Sequence, residues 1–187
     1  MYKWKLRLQA LTPVQLIVSY YFLAVTVSVI LLSLPVAHKP GVEWSFIDGL
    51  FTAVSAVSVT GLTSISTAET FSTPGIFILA FVLQFGGIGI MSLGTFVWLI
   101  MGKKIGLKER QLIMTDQNQT NLSGIVNLIK QIIILILIIE FLGGLILSVY
   151  FLSYYDTWQE AFLHGFFTSV SATTNGGFDI TGQSLIP

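Results

Sequence analysis

The stretch Phe51–Leu62 reads FTAVSAVSVTGL, and the stretch Phe167–Phe178, 116 positions later, reads FTSVSATTNGGF. Aligned without a gap, the two stretches agree at six of twelve positions, and three further pairs exchange similar side chains. A repeat within one chain indicates a repeated structural unit. We therefore expect the fold to place both copies in equivalent surroundings.

The chain as a whole is strongly apolar. Of its 187 residues, 53% are hydrophobic and 10% are charged, with a mean hydropathy of +0.82, whereas a soluble domain has roughly 25% charged residues. This composition predicts a membrane protein in contact with a lipid bilayer. The net charge of zero argues against nucleic acid as a partner. The absence of cysteine excludes disulfides and thiolate metal sites.

Three long apolar segments can cross a bilayer, which takes about 20 residues per helix. Val14–Leu34 and Pro74–Met101 contain no charged side chain. Ile125–Leu152 contains only Lys130 and Glu140 as charged residues. The first segment is longer than the apolar core of a signal peptide, so we interpret it as a span as well.

Basic residues predict how the spans are oriented, because basic loops stay in the cytoplasm. The basic residues before the first span and between the second and third are Lys3, Lys5, Arg7, Lys103, Lys104, Lys108 and Arg110. The loop between the first and second spans has only Lys39. We therefore predict a multi-pass protein of the plasma membrane whose N-terminus and Gly102–Gly124 loop are cytoplasmic. His38–Thr73 and the C-terminal end are then outside.

Four segments follow from this pattern. Residues 1–13 are predicted to form a cytoplasmic segment along the inner membrane surface, because aromatic and basic side chains alternate there. Residues 14–101 are the first repeat, 102–124 the cytoplasmic loop, and 125–187 a second repeat that stops before its exit span. The polar loop fits either a solvated linker or a docking site for a cytoplasmic partner.

Each copy of the repeated stretch overlaps the end of a short apolar segment, Trp44–Val57 or Trp158–Thr173. A helix over the first of these segments rises only about 21 Å, which is too short to span comfortably. A helix that enters from outside points its partly negative C-terminus at the membrane centre, where it favours a cation. The glycine that follows, Gly61 or Gly177, allows the backbone to aim carbonyl oxygens inward in place of an ion's hydration shell.

The fold class predicted in this way is an all-α membrane protein. Its repeats each consist of a span, a pore helix and a second span, in the pore-loop arrangement of potassium channels. In each repeat the pore helix dips into the membrane and an extended segment returns, which is tolerated where the backbone is buried in protein or lines a wet cavity.

The motifs Phe51–Leu62, Phe167–Phe178 and Gln84–Gly89 (QFGGIG) resemble those of the Trk/Ktr/HKT superfamily of potassium transporters, and most of all the bacterial Ktr-type membrane subunit. The resemblance implies potassium uptake through a selectivity filter of backbone carbonyls, built by four repeats around one pore. Each repeat contributes one strand with a key glycine, here Gly61 and Gly177. A glycine in the first repeat, where some members have serine, resembles the potassium-selective pattern.

The filter residues that the resemblance implies are Ser58, Val59, Thr60, Gly61, Thr174, Asn175, Gly176 and Gly177. Potassium is then the substrate, and we expect no covalent cofactor and no metal other than the filter potassium. The resemblance also implies a cytoplasmic ring of nucleotide-binding regulatory subunits and a membrane homodimer, and it leaves sodium dependence open.

The sequence contains two of the four repeats that this family has, and it ends ten residues after Gly177. We expect either that the chain is the N-terminal part of a longer protein or that two copies assemble. The family's intramembrane gating loop belongs to the third repeat and has no counterpart here.

Glu140 lies in the middle of the third span, where a carboxylate costs roughly 2.5–3.5 kcal/mol on insertion scales. One interpretation is an acid of the ion pathway, and the other is a hydrogen-bonded or protonated tether between helices, with Gln84 as its partner. The QFGGIG motif sits within a span, so we expect it to pack against a pore helix rather than to bind phosphate.

Two other functions remain as alternatives. An intramembrane enzyme would need a nucleophile with its base, or a metal cluster, at membrane depth, and the sequence has no such motif. We therefore predict that the protein is not an enzyme. A non-conducting scaffold subunit is the second alternative, and it would make the repeated glycine turns incidental.

Overall fold

The computed structural model describes residues 12–102 and 105–182, without the side chains of Pro13 and Trp98. Within these ranges the regular structure is helical, which confirms the predicted all-α membrane fold. The helices are α1 Pro13–Leu32, α2 Phe46–Val57, α3 Thr67–Thr70, α4 Thr73–Gly87, α5 Ile90–Ile100, α6 Leu107–Asp116, α7 Ile125–Phe151 and α8 Trp158–Thr173, with a 3₁₀ turn at Pro35–Ala37. The predicted surface segment, apart from its last two residues, lies outside the described residues, as do Lys103 and Lys104.

Helices α1 and α7 are long and apolar enough to cross a membrane. Helix α1 begins with a capping box, in which the Thr12 side chain accepts from the Gln15 amide and the Gln15 side chain accepts from the Thr12 amide. Pro13 follows at the first helical position, where its fixed φ suits a helix start. Both helices agree closely with the predicted spans at each end.

The second predicted span is not one continuous helix. Helices α4 and α5 are bent by 106° about a break at Ile88–Gly89, so the predicted span Pro74–Met101 is divided between two helices. Gly89 has a φ of +87°, which a helix cannot contain. Asp116 and Gln117 occupy the space beside it, since a Cβ at Gly89 would lie 3.1 Å from Asp116 Oδ2.

The connection between α5 and α7 is structured around helix α6. Leu112 and Ile113 of α6 are buried in an apolar cluster with Leu16 of α1 and Ile129 of α7. The interpretation of this connection as a solvated linker is therefore wrong over α6. Although this segment is polar overall, Leu112 and Ile113 pack α6 against its neighbours.

Asp116, at the end of α6, reaches the start of α5. Its carboxylate accepts a hydrogen bond from the Met91 amide, one of the free amides that every helix start exposes. The neighbouring Gln117 donates to Ser92 Oγ at 2.9 Å. Burial raises the pKa of Asp116, and its hydrogen bonds oppose that shift only in part. The bend between α4 and α5 is thus held by polar contacts from a distant part of the chain.

Helices α7 and α8 pack closely along small residues. A Cβ added to Gly165 of α8 would collide with the backbone of Ser148, and one added to Gly144 of α7 would lie 3.4 Å from Phe166 Cα. Small residues allow the helix backbones to approach in this way. The larger core lies between α2, α4 and α8, and includes Leu79, Leu83, Val57, Phe167 and Val170.

Candidate cation-binding turns

The segment before helix α2 and the segment that leads into α4 lie side by side at one end of the molecule. The Ser72 amide donates to the Ala37 carbonyl at 3.0 Å, and the Lys39 amide donates to the Thr70 carbonyl at 2.9 Å. These bonds join the two ends of the excursion between α1 and α4. The C-terminus of α2 therefore lies inside the molecule, and the chain returns from it without helical structure until α3.

The depth of the turn after α2 follows from its neighbour on α4. A Cβ at Gly86 would lie 2.6 Å from the Val57 carbonyl oxygen. The helical stretch from Thr73 to Gly86 corresponds to about 20 Å along the helix axis. This distance is shorter than the roughly 30 Å thickness of a bilayer core.

Helices α2 and α8 end with the same hydrogen bonds. The Ser58 amide donates to the Val54 carbonyl at 2.9 Å, and the Thr174 amide donates to the Val170 carbonyl at 2.9 Å. The two hydroxyl groups repeat this pattern, since Ser58 Oγ and Thr174 Oγ1 donate to the same carbonyls at 2.7 Å. The exchange of serine for threonine between the copies therefore preserves the cap.

One further bond closes each turn. The Thr60 amide donates to the Ser55 carbonyl at 2.9 Å, and the Gly176 amide donates to the Ser171 carbonyl at 2.7 Å. A bond that reaches back five residues in this way is the C-terminal cap of the Schellman type. The repeated sequence thus folds into a repeated helix end.

The torsion angles of the turns also repeat. Val59 and Asn175 both have a φ of +56°, while Gly61 has +77° and Gly177 has +69°. Residues 58–61 and 174–177 are not helical. Asparagine tolerates the left-handed region, whereas a β-branched valine there is an outlier. We refer to residues 58–61 as the first turn and residues 174–177 as the second turn.

The two turns meet at their glycines. A Cβ at Gly61 would lie 2.9 Å from the Gly176 carbonyl oxygen and 3.2 Å from Gly177 Cα. In return, a Cβ at Gly177 would lie 3.2 Å from Gly61 Cα. The structure therefore brings together the two residue groups that the sequence analysis assigned to the filter, with glycine required on both sides.

Helix α4 packs against both turns through the QFGGIG motif. A Cβ at Gly86 would lie 2.5 Å from Val59 Cγ2 in the first turn, and one at Gly87 would lie 2.6 Å from Thr174 Cγ2 in the second. The motif thus packs closely against the C-terminal ends of α2 and α8. The motif serves both copies at once, because its two adjacent glycines face different turns.

The electrostatics of this region come from the backbone. The partly negative C-terminal ends of α2 and α8 both point at the turns, which favours a cation there. No charged side chain occurs in 51–66 or 167–178. In the part of the chain that the structure describes, no group of three or more His, Asp or Glu side chains could hold a metal ion. Carbonyl oxygens are thus the ligands that this region offers.

The segment after the second turn is pinned in two ways. Ser171 Oγ donates to the Phe178 carbonyl at 2.7 Å, and Thr67 Oγ1 donates to the Asp179 carbonyl of the same segment. A cavity of about 240 Å³ opens beside it. The cavity is lined by Thr168, Ser171, Ala172, Asn175, Gly177, Phe178 and Asp179.

The contact between Thr67 and Asp179 was not predicted from the sequence. The two residues are 112 positions apart, and no local pattern links them. The only signal was that Asp179 is the first charged residue after the second glycine turn. Their bond ties the outgoing segment of the second copy to the outgoing segment of the first.

The structure also brings Glu140 and Gln84 together. Gln84 Nε2 donates to both carboxylate oxygens of Glu140 at 2.8 Å, and Ser169 Oγ donates to the Glu140 carbonyl at 2.9 Å. Glu140 is only 4% exposed. The pair joins α4 to α7, as a tether between helices requires.

Comparison with known proteins assigns the family. Residues 3–187 match the TrkH family, described as a cation transport protein. The chain is 77% identical to the Ktr system potassium uptake protein D of Bacillus subtilis strain 168. The alignment of 180 residues covers 96% of this chain and 40% of that protein. It is 35% identical to the Ktr system potassium uptake protein B of the same strain, covering 94% of this chain and 39% of that protein.

A relative from another organism has a different description. The potassium/sodium uptake protein NtpJ of Enterococcus hirae is 36% identical over 176 residues, covering 94% of this chain and 39% of that protein. The chain thus spans about two fifths of the length of these relatives. Because the family match extends over nearly the whole sequence, the chain belongs to the TrkH family of cation transport proteins.

Proposed function

We propose that this chain forms part of a potassium uptake pathway in the plasma membrane, with the two turns as strands of a selectivity filter. The observation that carries the proposal is the meeting of two turns with the same torsions at Gly61 and Gly177. Carbonyl oxygens on such strands replace the hydration shell of a potassium ion. The potassium-binding residues are those of the first and second turns.

Potassium is proposed over other cations for two reasons. The turns offer carbonyl oxygens without a carboxylate, and such neutral oxygen ligands suit a monovalent cation that crosses without being trapped. Three relatives are also named potassium or potassium/sodium uptake proteins. Sodium dependence is a separate question, which uptake measured with and without external sodium answers.

In the arrangement that we propose, the N-terminus is cytoplasmic and the pore helices α2 and α8 enter from outside. Residues 14–101 then form one span–pore–span repeat, and residues 125–187 belong to a second. In the relatives, more than half of the protein lies outside the matched region, and we propose that such a region supplies the other strands of the ring. The functional unit is a membrane homodimer.

A cytoplasmic ring of nucleotide-binding regulatory subunits is the proposed partner. This proposal is supported by the names of two relatives, which describe them as proteins of a Ktr system. On the proposed orientation, helix α6 lies on the cytoplasmic face, with Lys108 and Arg110 on the same short helix. This helix is the surface of the described chain that a cytoplasmic partner would meet.

The test replaces Gly61 with serine in the full-length protein. Gly61→Ser adds a Cβ that would lie 2.9 Å from the Gly176 oxygen. We expect discrimination of potassium against sodium to fall by about tenfold, equivalent to about 1.4 kcal/mol. The measurement is uptake of each ion by proteoliposomes that contain the purified variant.

Gly94→Ser is the matched control, because no described atom outside its own helix lies within 4 Å of the added Cβ. The control should keep the wild-type preference. An unchanged preference in Gly61→Ser at normal protein levels would contradict the filter. Wild-type protein that inserts and assembles but passes no potassium would instead support the scaffold alternative.

A further inference from the structure

We infer that Glu140 is a protonated, neutral positioning acid whose pairing with Gln84 sets the place of the Gly86–Gly87 support beneath both turns. This inference rests on the proposed ion-selective function of the turns. It assigns a role to a buried carboxyl group that the turns themselves do not use.

The pair sits where three helices meet. Gln84 belongs to α4, Glu140 to α7 and Ser169 to α8. The Glu140 carboxyl group accepts from Gln84 at 2.8 Å, and the Glu140 backbone carbonyl accepts from Ser169 at 2.9 Å. Ser169 is 3% exposed and Glu140 is 4% exposed. A shift of any one helix would therefore break a buried hydrogen bond.

One polar side-chain atom of the Gln84–Glu140 pair has no hydrogen-bond partner among the described residues. Gln84 Nε2 donates to both oxygens of Glu140, while Gln84 Oε1 is buried and has no hydrogen-bond partner in the described part of the chain. An ionised carboxylate only accepts hydrogen bonds, so it cannot satisfy this oxygen. A protonated carboxyl group has one O–H to donate.

A small rotation of the Gln84 amide completes the pair. The terminal torsion of glutamine is soft, so one N–H···O bond can be exchanged for an O–H···O bond from Glu140 to Gln84 Oε1. The pair then still has two hydrogen bonds, because Gln84 Oε1 gains a partner and one of the two Gln84 N–H groups gives up its own. The neutral acid thus keeps as many bonds to Gln84 as the ionised form does, without placing a charge among buried groups.

Among the described residues, the helices packed around Glu140 give its ionised form no counter-charge. Helix α4 has no titratable side chain between Thr73 and Gly87. On α7 the other charge is Lys130, ten residues away, or about 15 Å along the axis. On α8 the titratable groups are His164 and Glu160, five and nine residues before Ser169. An unpaired charge at this depth is costly, so the neutral form is favoured.

The pair acts on the turns through α4. Gln84 precedes Gly86 and Gly87 by two and three residues, or about 3 to 4.5 Å of helix. Those glycines leave no spare room against Val59 and Thr174. On α8, Ser169 is five residues before Thr174. The position of the pair therefore fixes how α4 meets both turns.

The test compares Glu140→Gln with Glu140→Leu in the full-length protein. Glutamine keeps one donor and one acceptor without charge, so potassium preference over sodium should stay within about twofold of wild type. Leucine removes the pair, and the preference should fall by about fivefold or more. Gln84→Leu should match Glu140→Leu, because either change removes the same contact. If Glu140→Gln were as impaired as Glu140→Leu, the neutral pair would be wrong.

Infrared difference spectroscopy reads the protonation state without any transport. The difference between wild type and Glu140→Gln at neutral pH should contain the C=O band of a protonated carboxyl group, shifted in heavy water. Glu160→Gln, which removes an exposed carboxyl group, should show only the bands of a carboxylate. Carboxylate bands for Glu140 would overturn the inference.

The two proposals fail in different ways. If Gly61→Ser leaves the ion preference unchanged while the infrared spectrum shows a protonated Glu140, the filter assignment fails and the neutral pair stands. If Gly61→Ser lowers the preference and the spectrum shows an ionised Glu140, the filter stands and the inference fails.

Discussion

The first and second turns have the same backbone but different side chains at most positions. Val59 and Asn175 share a φ of +56° although one is β-branched and the other is a common left-handed residue. The hydrogen bonds to the helix end join equivalent residues in both copies and have nearly equal lengths. The helix cap and the surrounding contacts therefore determine the backbone conformation of the turn. The side chain at the left-handed position changes only the free energy of adopting that conformation.

The copies differ in how their own chain holds them. Ser171 Oγ donates to the Phe178 carbonyl, whereas the equivalent Ser55 Oγ is buried without a partner among the described residues. In the first copy, Ser58 Oγ and Thr60 Oγ1 lie 2.7 Å apart and bond to each other instead. The second copy thus has a side-chain hydrogen bond from Ser171 of α8 to the segment after its turn, and the equivalent serine of the first copy makes no such bond within the described residues.

The largest expected effect is at the shared support on α4. Gly86→Ala would press a Cβ against the Val57 carbonyl and Val59, and Gly87→Ala would press one against Thr174. Overpacking of this kind costs about 1–3 kcal/mol or more. We expect potassium uptake by cells to fall at least tenfold in both variants.

Gly94→Ala is the control for these variants, because its Cβ meets no described atom beyond its own helix within 4 Å. Equal losses at Gly86 and Gly87 would show that both turns are needed. A loss of uptake in Gly86→Ala alone would contradict the equivalence of the two turns, because the second turn would then not depend on α4.

An exchange at the left-handed position should have the next largest effect. Val59→Asn should raise the free energy of unfolding by about 1 kcal/mol, because it relieves strain at a positive φ. Asn175→Val should lower it by about 1–2 kcal/mol for the same reason. The measurement is thermal unfolding of the full-length protein in detergent. Opposite signs for the two variants are the required result, and equal signs would contradict an equivalent backbone.

The smallest effect concerns the two serines. Ser171→Ala should lower the free energy of unfolding by about 1 kcal/mol, since the buried Phe178 carbonyl loses its partner. Ser55→Ala should change it by less than about 0.5 kcal/mol or raise it slightly, because that hydroxyl makes no hydrogen bond within the described structure. Denaturant unfolding under matched conditions gives both values. A larger loss for Ser55→Ala would mean that this hydroxyl has a partner in the assembled protein.

The helices that depend on local pattern were predicted well. The predicted segment Trp158–Thr173 has the observed bounds of α8, and α7 ends one residue before the prediction. The repeat also predicted two equivalent turns, because equal residues at equal spacing meet equal local forces. The local sequence therefore carries the elements and their symmetry.

The bend and the cross-contacts were not predicted, because they depend on residues far away in the chain. The apolar run from Pro74 to Met101 gives no sign of a break except its glycines, which fit close packing equally well. The contacts of Asp116 and Gln117 hold the bend. Which glycine of α4 faces which turn likewise follows only from the packed arrangement of three helices.

The contact between Gly61 and Gly177 joins two stretches of main chain with no side chain between them. Such a joint cannot be tuned by trimming or exchanging a side chain, since neither residue has one. A side chain at either position would press on the backbone of the opposite turn, 2.9 Å from the Gly176 oxygen on one side and 3.2 Å from Gly61 Cα on the other. The spacing across this joint is therefore set by the helices that carry the two turns.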